Sequence, residues 1–349
     1  MRVLYFGTYE RRYPRNAQVI SCLRRAGVEV AERHVSVWEG REHKFGAGVG
    51  SAVRLAAAEM RLRRRRPGQF DAVIVGYPGH LDLGAARRIA RDRPVVFSPL
   101  VSLSDTLVED RGRFRPGSFA AHALRAIDRR AVRAADLVVS DTAANAALFA
   151  SLGAHRIEVC FVGAEERVFQ PGWSPGDEFT ALFVGKLIPL HGLDTILAAA
   201  RLVPELRFRV VGSGQLESLL RDRPANVEHI PWVEYERLPE ELRRATCALG
   251  IFGTSAKAAR VIPNKAFQAL ACGTPLVTAD TAAARELLRD GESALLVPPG
   301  DPEALADALR RLDRPLAERL SSAGLAAYRT HASEEVLGAR WRGLIQSLL

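Results

Sequence analysis

The sequence predicts an α/β protein made of two Rossmann-like domains in tandem. Three observations carry that reading. Short apolar runs alternate with stretches of helical spacing from the first residues onward. The runs are apolar throughout, as parallel strands covered on both faces are. The alternation pauses at a passage rich in Pro and Gly, QPGWSPGDE (170–178), and restarts after it.

In order, VLYFG (3–7) reads as a buried strand ending on a glycine, 16–26 as a helix stopped by Gly27, and 28–35 as a second strand. Residues 52–66 form a helix closed by Pro67 and Gly68. A strand (70–76), helix (83–90), strand (94–99), helix (118–134), strand (136–140), helix (142–151) and strand (156–163) complete the first half. After the boundary come a strand (179–185), helix (193–203), strand (206–212), helix (216–222), strand (226–230) and helix (238–245). Strand candidates at 247–253, 275–280 and 294–300 follow, then helical spacing at 303–312. The domains are expected at 1–169 and 170–349. The final thirty residues hold no strand candidate, which leaves the last helix open to crossing back to the N-terminal domain.

The 349 residues suffice for two domains of ordinary size. About half are apolar and a quarter charged, a soluble globular profile. A formal net charge of +9 favours polyanions, anionic head groups or phosphorylated small molecules. Cys22, Cys160, Cys247 and Cys272 form no CxxC pair and read as buried free thiols. The N-terminus lacks the apolar core of a signal peptide, and no run approaches a membrane span, so a cytoplasmic protein is expected.

Ligands in open parallel sheets bind beyond the carboxyl ends of the strands, so a cleft between the two domains is the expected site. Three stretches carry chemistry. In FVGKLIPLHG (183–192) a strand ends at Gly185, and Lys186 and His191 lie in the loop before a helix start, where backbone N–H groups attract phosphate. In VVGSGQLESLL (210–220) Gly212 and Gly214 flank a serine; they suit either a close anion or a tight βα turn. In VIPNKAFQALACGTPLV (261–277) Pro263 opens a helix and Gly273 ends it. Lys265 and Gln268 share a face there, with Asn264 one turn from Gln268, at the positive end of the helix dipole. That polar edge reads as a hydroxyl and phosphate site or as a solvated helix face.

These phrases resemble the retaining GT-B glycosyltransferases of glycosyltransferase family 4, often called group 1. FVGAEERVFQP (161–171) resembles the family's "pNGVD…F.P" phrase, with Gly163, Glu165, Phe169 and Pro171 at the matching places. GKLIPLHG (185–192) resembles its "GRl…KG" loop, whose two basic residues hold the donor diphosphate; Lys186 and His191 stand in their places. FQALACGTPLV resembles "EAMAcGtPVV" with Gln268 on the family's second glutamate, and Arg260 stands at the spacing of the first. TAAARELLRDGESALLVPPGD (281–301) matches "g.pElv.dg.nGllv.pgD", with Glu286 on its glutamate.

The resemblance implies two Rossmann-like domains facing across a cleft and sugar transfer from a nucleotide-diphosphate sugar to a hydroxyl, with retention of configuration. The donor loop is atypical. Gly185, Gly212, Gly214, Trp232, Asn264, Lys265, Gln268 and Glu286 are its donor-binding candidates. Lys186, His191, His80 and Asp105 are its catalytic candidates. Thr8, Arg11, Arg15, Ser102 and Ser104 are expected on the acceptor side, which would receive a glycan, glycolipid or small hydroxyl compound. No cofactor and no metal ligand set are expected.

A dehydrogenase fits the double Rossmann pattern, but GTYERR (7–12) lacks the glycine spacing for a pyrophosphate. A GT-B epimerase and a non-catalytic nucleotide-sugar binder are the remaining alternatives. Nucleic acid is disfavoured because no basic–aromatic interleaving accompanies the charge. Arg63–Arg66 end an apolar-faced helix and read either as a solvated helix end or as a patch for anionic lipid at the inner membrane face.

Overall fold

The computed structural model describes residues 1–11, 13–37, 49–64 and 68–349, with backbone alone at 49–53 and 64. The chain divides into two compact units. The first holds residues 1–108, 113–162 and 334–349, and the second holds 109–112 and 163–333.

The first unit is a six-stranded sheet of β1 (Arg2–Gly7), β2 (Glu29–His34), β3 (Ala72–Val75), β4 (Val95–Phe97), β5 (Leu137–Ser140) and β6 (Ile157–Val159). The strands are all parallel, in the order β2-β1-β3-β4-β5-β6. Connecting them are α1 (Pro14–Arg25), α2 (Val49–Arg64), α3 (Leu83–Ala90), α4 (Phe119–Ala134) and α5 (Ala143–Ser151). The inner strands β3 and β4 are buried on both faces and apolar at every position, whereas the edge strand β2 carries Glu29, Glu32, Arg33 and His34. Along β1, Val3 and Tyr5 join the core under α1, while Leu4 and Phe6 join the core under α2 and α3.

The second unit repeats the scheme with β7 (Thr180–Val184), α6 (Leu193–Leu202), β8 (Arg207–Val211), β9 (Val227–Ile230), α7 (Leu238–Arg244), β10 (Cys247–Leu249), α8 (Asn264–Cys272), β11 (Leu276–Ala279), β12 (Leu295–Val297), α9 (Pro302–Arg311) and α10 (Arg314–His331). Its parallel order is β12-β11-β10-β7-β8-β9. The sequence's helix at 216–222 is instead a 3-10 segment, Glu217–Asp222. Its strand at 247–253 stops at Leu249, because Gly250 and Gly253 turn the chain against neighbouring segments.

After α10 the chain returns to the first unit as α11 (Glu334–Gln346), which packs along α1. Leu337, Trp341, Leu344 and Ile345 complete the core over Val19 and Leu23. The four cysteines are buried free thiols.

Candidate functional site

In the second unit, strands progress outward on either side of the boundary between β7 and β10, so that boundary is the topological switch point of the sheet. The loop leaving β7 there is built from close backbone approaches. Gly212 and Gly214 take positive φ, and a Cβ on the first would collide with the Gly185 carbonyl and on the second with the Leu187 carbonyl. Both glycines are thus filled in by the chain's own 185–187 turn, which is also held by Leu187 N–H donating to the Ser213 carbonyl at 2.9 Å. Gly192, left-handed at φ 66°, starts α6 hard against the Phe252–Gly253 backbone.

Within this turn the Lys186 side chain is exposed, whereas His191 is buried. The His191 Nδ1 meets the Lys186 carbonyl, and its ring stands edge-on to Phe183 at 5.5 Å. Burial first, then the nearby cations Lys265, Arg111 and Lys257, hold its pKa well below the usual imidazole value, so the ring is neutral.

Lys265 is in the first turn of α8, yet it is buried. Its Nζ lies 3.5 Å over the centre of the Phe183 ring and makes no hydrogen bond among the described residues. A Cβ on Gly185 would stand 2.9 Å from that nitrogen. Desolvation pushes the Lys265 pKa well below its ordinary value. Helix α8 follows Pro263, which supplies no side-chain cap, and has no acid in its first turn.

Gln268 is also buried, beside the Tyr235 hydroxyl. Tyr235 in turn donates to Glu165 Oε1 at 3.1 Å, and Arg167 pairs with the same carboxylate at 3.0 Å. The solvated-face reading of Lys265 and Gln268 is therefore corrected: every residue from Lys265 to Cys272 is buried. Asn264, Arg260 and Glu286 are partly buried, and Trp232 is 71% exposed. Lys257 pairs with Asp110 at 3.4 Å, and Asp110 also faces Arg111 at 3.4 Å.

In the first unit the sequence candidates fall into separate groups. His80, Ser102 and Ser104 converge on Asp128 of α4, a residue with no motif to mark it. Asp128 accepts from Ser102 Oγ at 2.7 Å, Ser104 Oγ at 2.7 Å, Leu103 N–H at 2.8 Å and Ser104 N–H at 2.9 Å. His80 Nε2 approaches its other side at 3.4 Å, while burial holds the His80 pKa down. Asp105 is buried next to this loop, its N–H donating to Ser102 Oγ at 3.1 Å.

Thr8 donates from its N–H to Asp82 at 2.7 Å and from its hydroxyl at 3.1 Å. The Glu59 carboxyl stands against the same aspartate, and both pKa values are raised, burial being the main cause. Arg15 is fully buried: it donates to Ser98 Oγ at 3.2 Å and to the Cys160 and Phe161 carbonyls, and it lies 5.7 Å over the Trp341 ring. Arg11 pairs with Glu32 at 3.5 Å at the surface. Arg63 is half exposed and faces Glu59 at 3.8 Å; Arg65 and Arg66, and the side chain of Arg64, lie outside the described residues.

Two parallel six-stranded sheets with covering helices, and a glycine-built turn at a switch point, define a protein of α/β GT-B architecture. Solved structures share it. Sucrose-phosphate synthase from Thermosynechococcus elongatus superposes with a TM-score of 0.79 at 17% identity, covering 99% of this chain and 98% of that one. Anabaena HepE in complex with UDP-glucose gives a TM-score of 0.72 at 17% identity over the whole of both chains. Residues 178–314 match the family model "Glycosyl transferases group 1". The D-inositol 3-phosphate glycosyltransferase of a Nocardioides species is 31% identical over 82% of this chain and 69% of its own. The phosphatidyl-myo-inositol mannosyltransferase of Mycobacterium leprae is 38% identical over 44% of this chain and 42% of its own. The chain belongs to the group 1 glycosyltransferases.

Proposed function

We propose that this protein transfers a glycosyl group from a nucleotide-diphosphate sugar to an acceptor hydroxyl, with retention of anomeric configuration. One observation supports this location for the donor: the Lys265 amine of the uncapped first turn of α8 and the His191 ring both crowd the Gly185 position on the β7 turn, at the switch point. Backbone N–H groups at a helix start favour an anion, and a buried amine beside them adds charge where a diphosphate departs. Gln268, beside the Tyr235 hydroxyl, offers a carbonyl and an N–H to ribose or sugar hydroxyls.

Retention follows from the family resemblance, in which the departing phosphate assists the incoming hydroxyl on the same face. The enzyme then contributes orientation and charge stabilisation. Both inositol-dependent relatives act on phosphorylated cyclitol compounds by name, so inositol 3-phosphate and phosphatidylinositol head the acceptor screen. A lipid acceptor fits a peripheral role at the inner membrane face, with Arg63–Arg66 toward anionic lipid. No helix among the described residues is long and apolar enough to cross a membrane.

The test is turnover of UDP-, GDP- and TDP-sugars with those acceptors, with the product's anomeric configuration read by NMR. An inverted product removes the retaining reading. A protein that binds no nucleotide sugar removes the transferase reading.

A further inference from the structure

The most conspicuous unexplained group in the second unit is the Lys265 amine. It is buried on an apolar ring, and no hydrogen-bond acceptor reaches it among the described residues. The groups on the β7 turn, and those whose charge reaches His191, are poor partners. On the β7 turn, His191 is neutral and Lys186 points outward. Lys257 and Arg111 are themselves cations, and the acid between them, Asp110, is engaged by both. No carboxylate contributes to the shift of Lys265, whose only resolved cause is burial.

An apolar side chain of similar length would fill this space at no electrostatic cost. A lysine here is explained by a ligand that supplies the missing negative charge. Two further features sort the ligand. The start of α8, uncapped and without an acid in its first turn, carries Lys265 itself, at the positive end of the helix dipole. Loop position 191, where the family resemblance has its second basic residue, is occupied by an imidazole whose Nδ1 is committed to the Lys186 carbonyl.

We propose that Lys265 is the cation that receives the donor's diphosphate, a task that loop position 191 does not perform in this chain. The proposal rests on the reading of this site as a nucleotide-sugar pocket and deepens it. Burial pushes the Lys265 pKa down and an arriving diphosphate pushes it back up, so donor binding is linked to proton uptake at this amine.

Isothermal titration of the full chain with UDP, GDP and TDP tests this at about pH 8, above the phosphate's second pKa of ~6. Repeating it in buffers of different ionisation enthalpy counts the protons taken up. The wild type should take up protons as the nucleotide binds. Lys265→Met should bind roughly 10- to 100-fold more weakly, the span for one charge-assisted hydrogen bond. It should take up no proton and should melt no lower than the wild type. His191→Asn, which keeps a donor for the Lys186 carbonyl, should still take up the proton. Adding His191→Lys to Lys265→Met should recover affinity without the uptake.

If a nucleotide binds the wild type and Lys265→Met binds it equally well, this assignment is wrong and the transferase reading stands. Proton uptake that survives Lys265→Met overturns it as well. If no nucleoside diphosphate binds the wild type, the donor reading falls and takes this one with it.

Discussion

Replacing Glu59 with glutamine should make the first unit more stable at alkaline pH and flatten its pH dependence. Glu59 and Asp82 are two carboxyl groups in one buried place. Asp82 already accepts from the N–H and the hydroxyl of Thr8, which favours its charged form. Glu59 has no hydrogen-bond donor of its own, so the shared proton belongs on Glu59. Its pKa is raised from 4.5 to about 8, chiefly by burial and then by Asp82. Between those values the folded pair holds a proton that the unfolded chain has released. Stability from this source is complete below about pH 4.5 and is lost as pH rises through about 8. At about 1.4 kcal/mol per unit the shift bounds the effect near 5 kcal/mol. Partial exposure of the Glu59 side chain, 14%, reduces this to about 2–4 kcal/mol. Denaturant unfolding read by hydrogen exchange at the β1 amides isolates the first unit. From pH 5 to 9 the wild type should lose stability relative to Glu59→Gln, whose amide still donates to Asp82. Parallel pH profiles for the two proteins would refute the shared proton.

Three other perturbations follow from the same geometry. Asp128→Ala leaves four donors without their acceptor and should cost about 3–5 kcal/mol in denaturant melts, whereas a surface carboxylate would cost almost nothing. His80, kept neutral by burial, should destabilise the first unit as pH falls below about 6.5, and His80→Phe should remove that acid-side slope in the same exchange assay. Gln268→Ala should raise KM for the nucleotide sugar with little change in Tm, while Gln268→Glu, the residue of the resembling family, should retain turnover; a large Tm loss with intact KM would make Gln268 structural.

The strands were readable because a parallel sheet covered on both faces leaves continuous apolar runs, and β1, β3, β5 and β7 all carry them. Glycines at the carboxyl ends of β1, β3 and β7 (Gly7, Gly76 and Gly185) located the β7 turn. Side-chain partnership was not readable at the same depth. Asp128 sits among arginines in IDRR and reads as one of a surface charge pair. Its burial depends on a loop, 102–104, that arrives from another part of the chain. Glu59 is disguised in the same way by the arginines of α2. Lys265 was legible as a polar residue at a helix start, but its isolation on Phe183 exists only once β7 lies beside α8. Gly212 and Gly214 signalled close approach correctly, while the identity of what approaches, the 185–187 backbone, required the register of β7 against β8.

Helix α11 sets an order on the making of this molecule. The ribosome delivers residues 1–162 first, but the core around α1 stays incomplete until Leu337, Trp341, Leu344 and Ile345 emerge. Roughly 170 residues separate the two parts, a wait of about 10–30 s at ordinary rates of synthesis. The second unit, contiguous except for its short 109–112 segment, has its own core complete by then. The half that is translated first is therefore finished last, and a nascent chain stalled before residue 334 exposes Val19, Leu23 and their neighbours to whatever chaperone attends the tunnel exit.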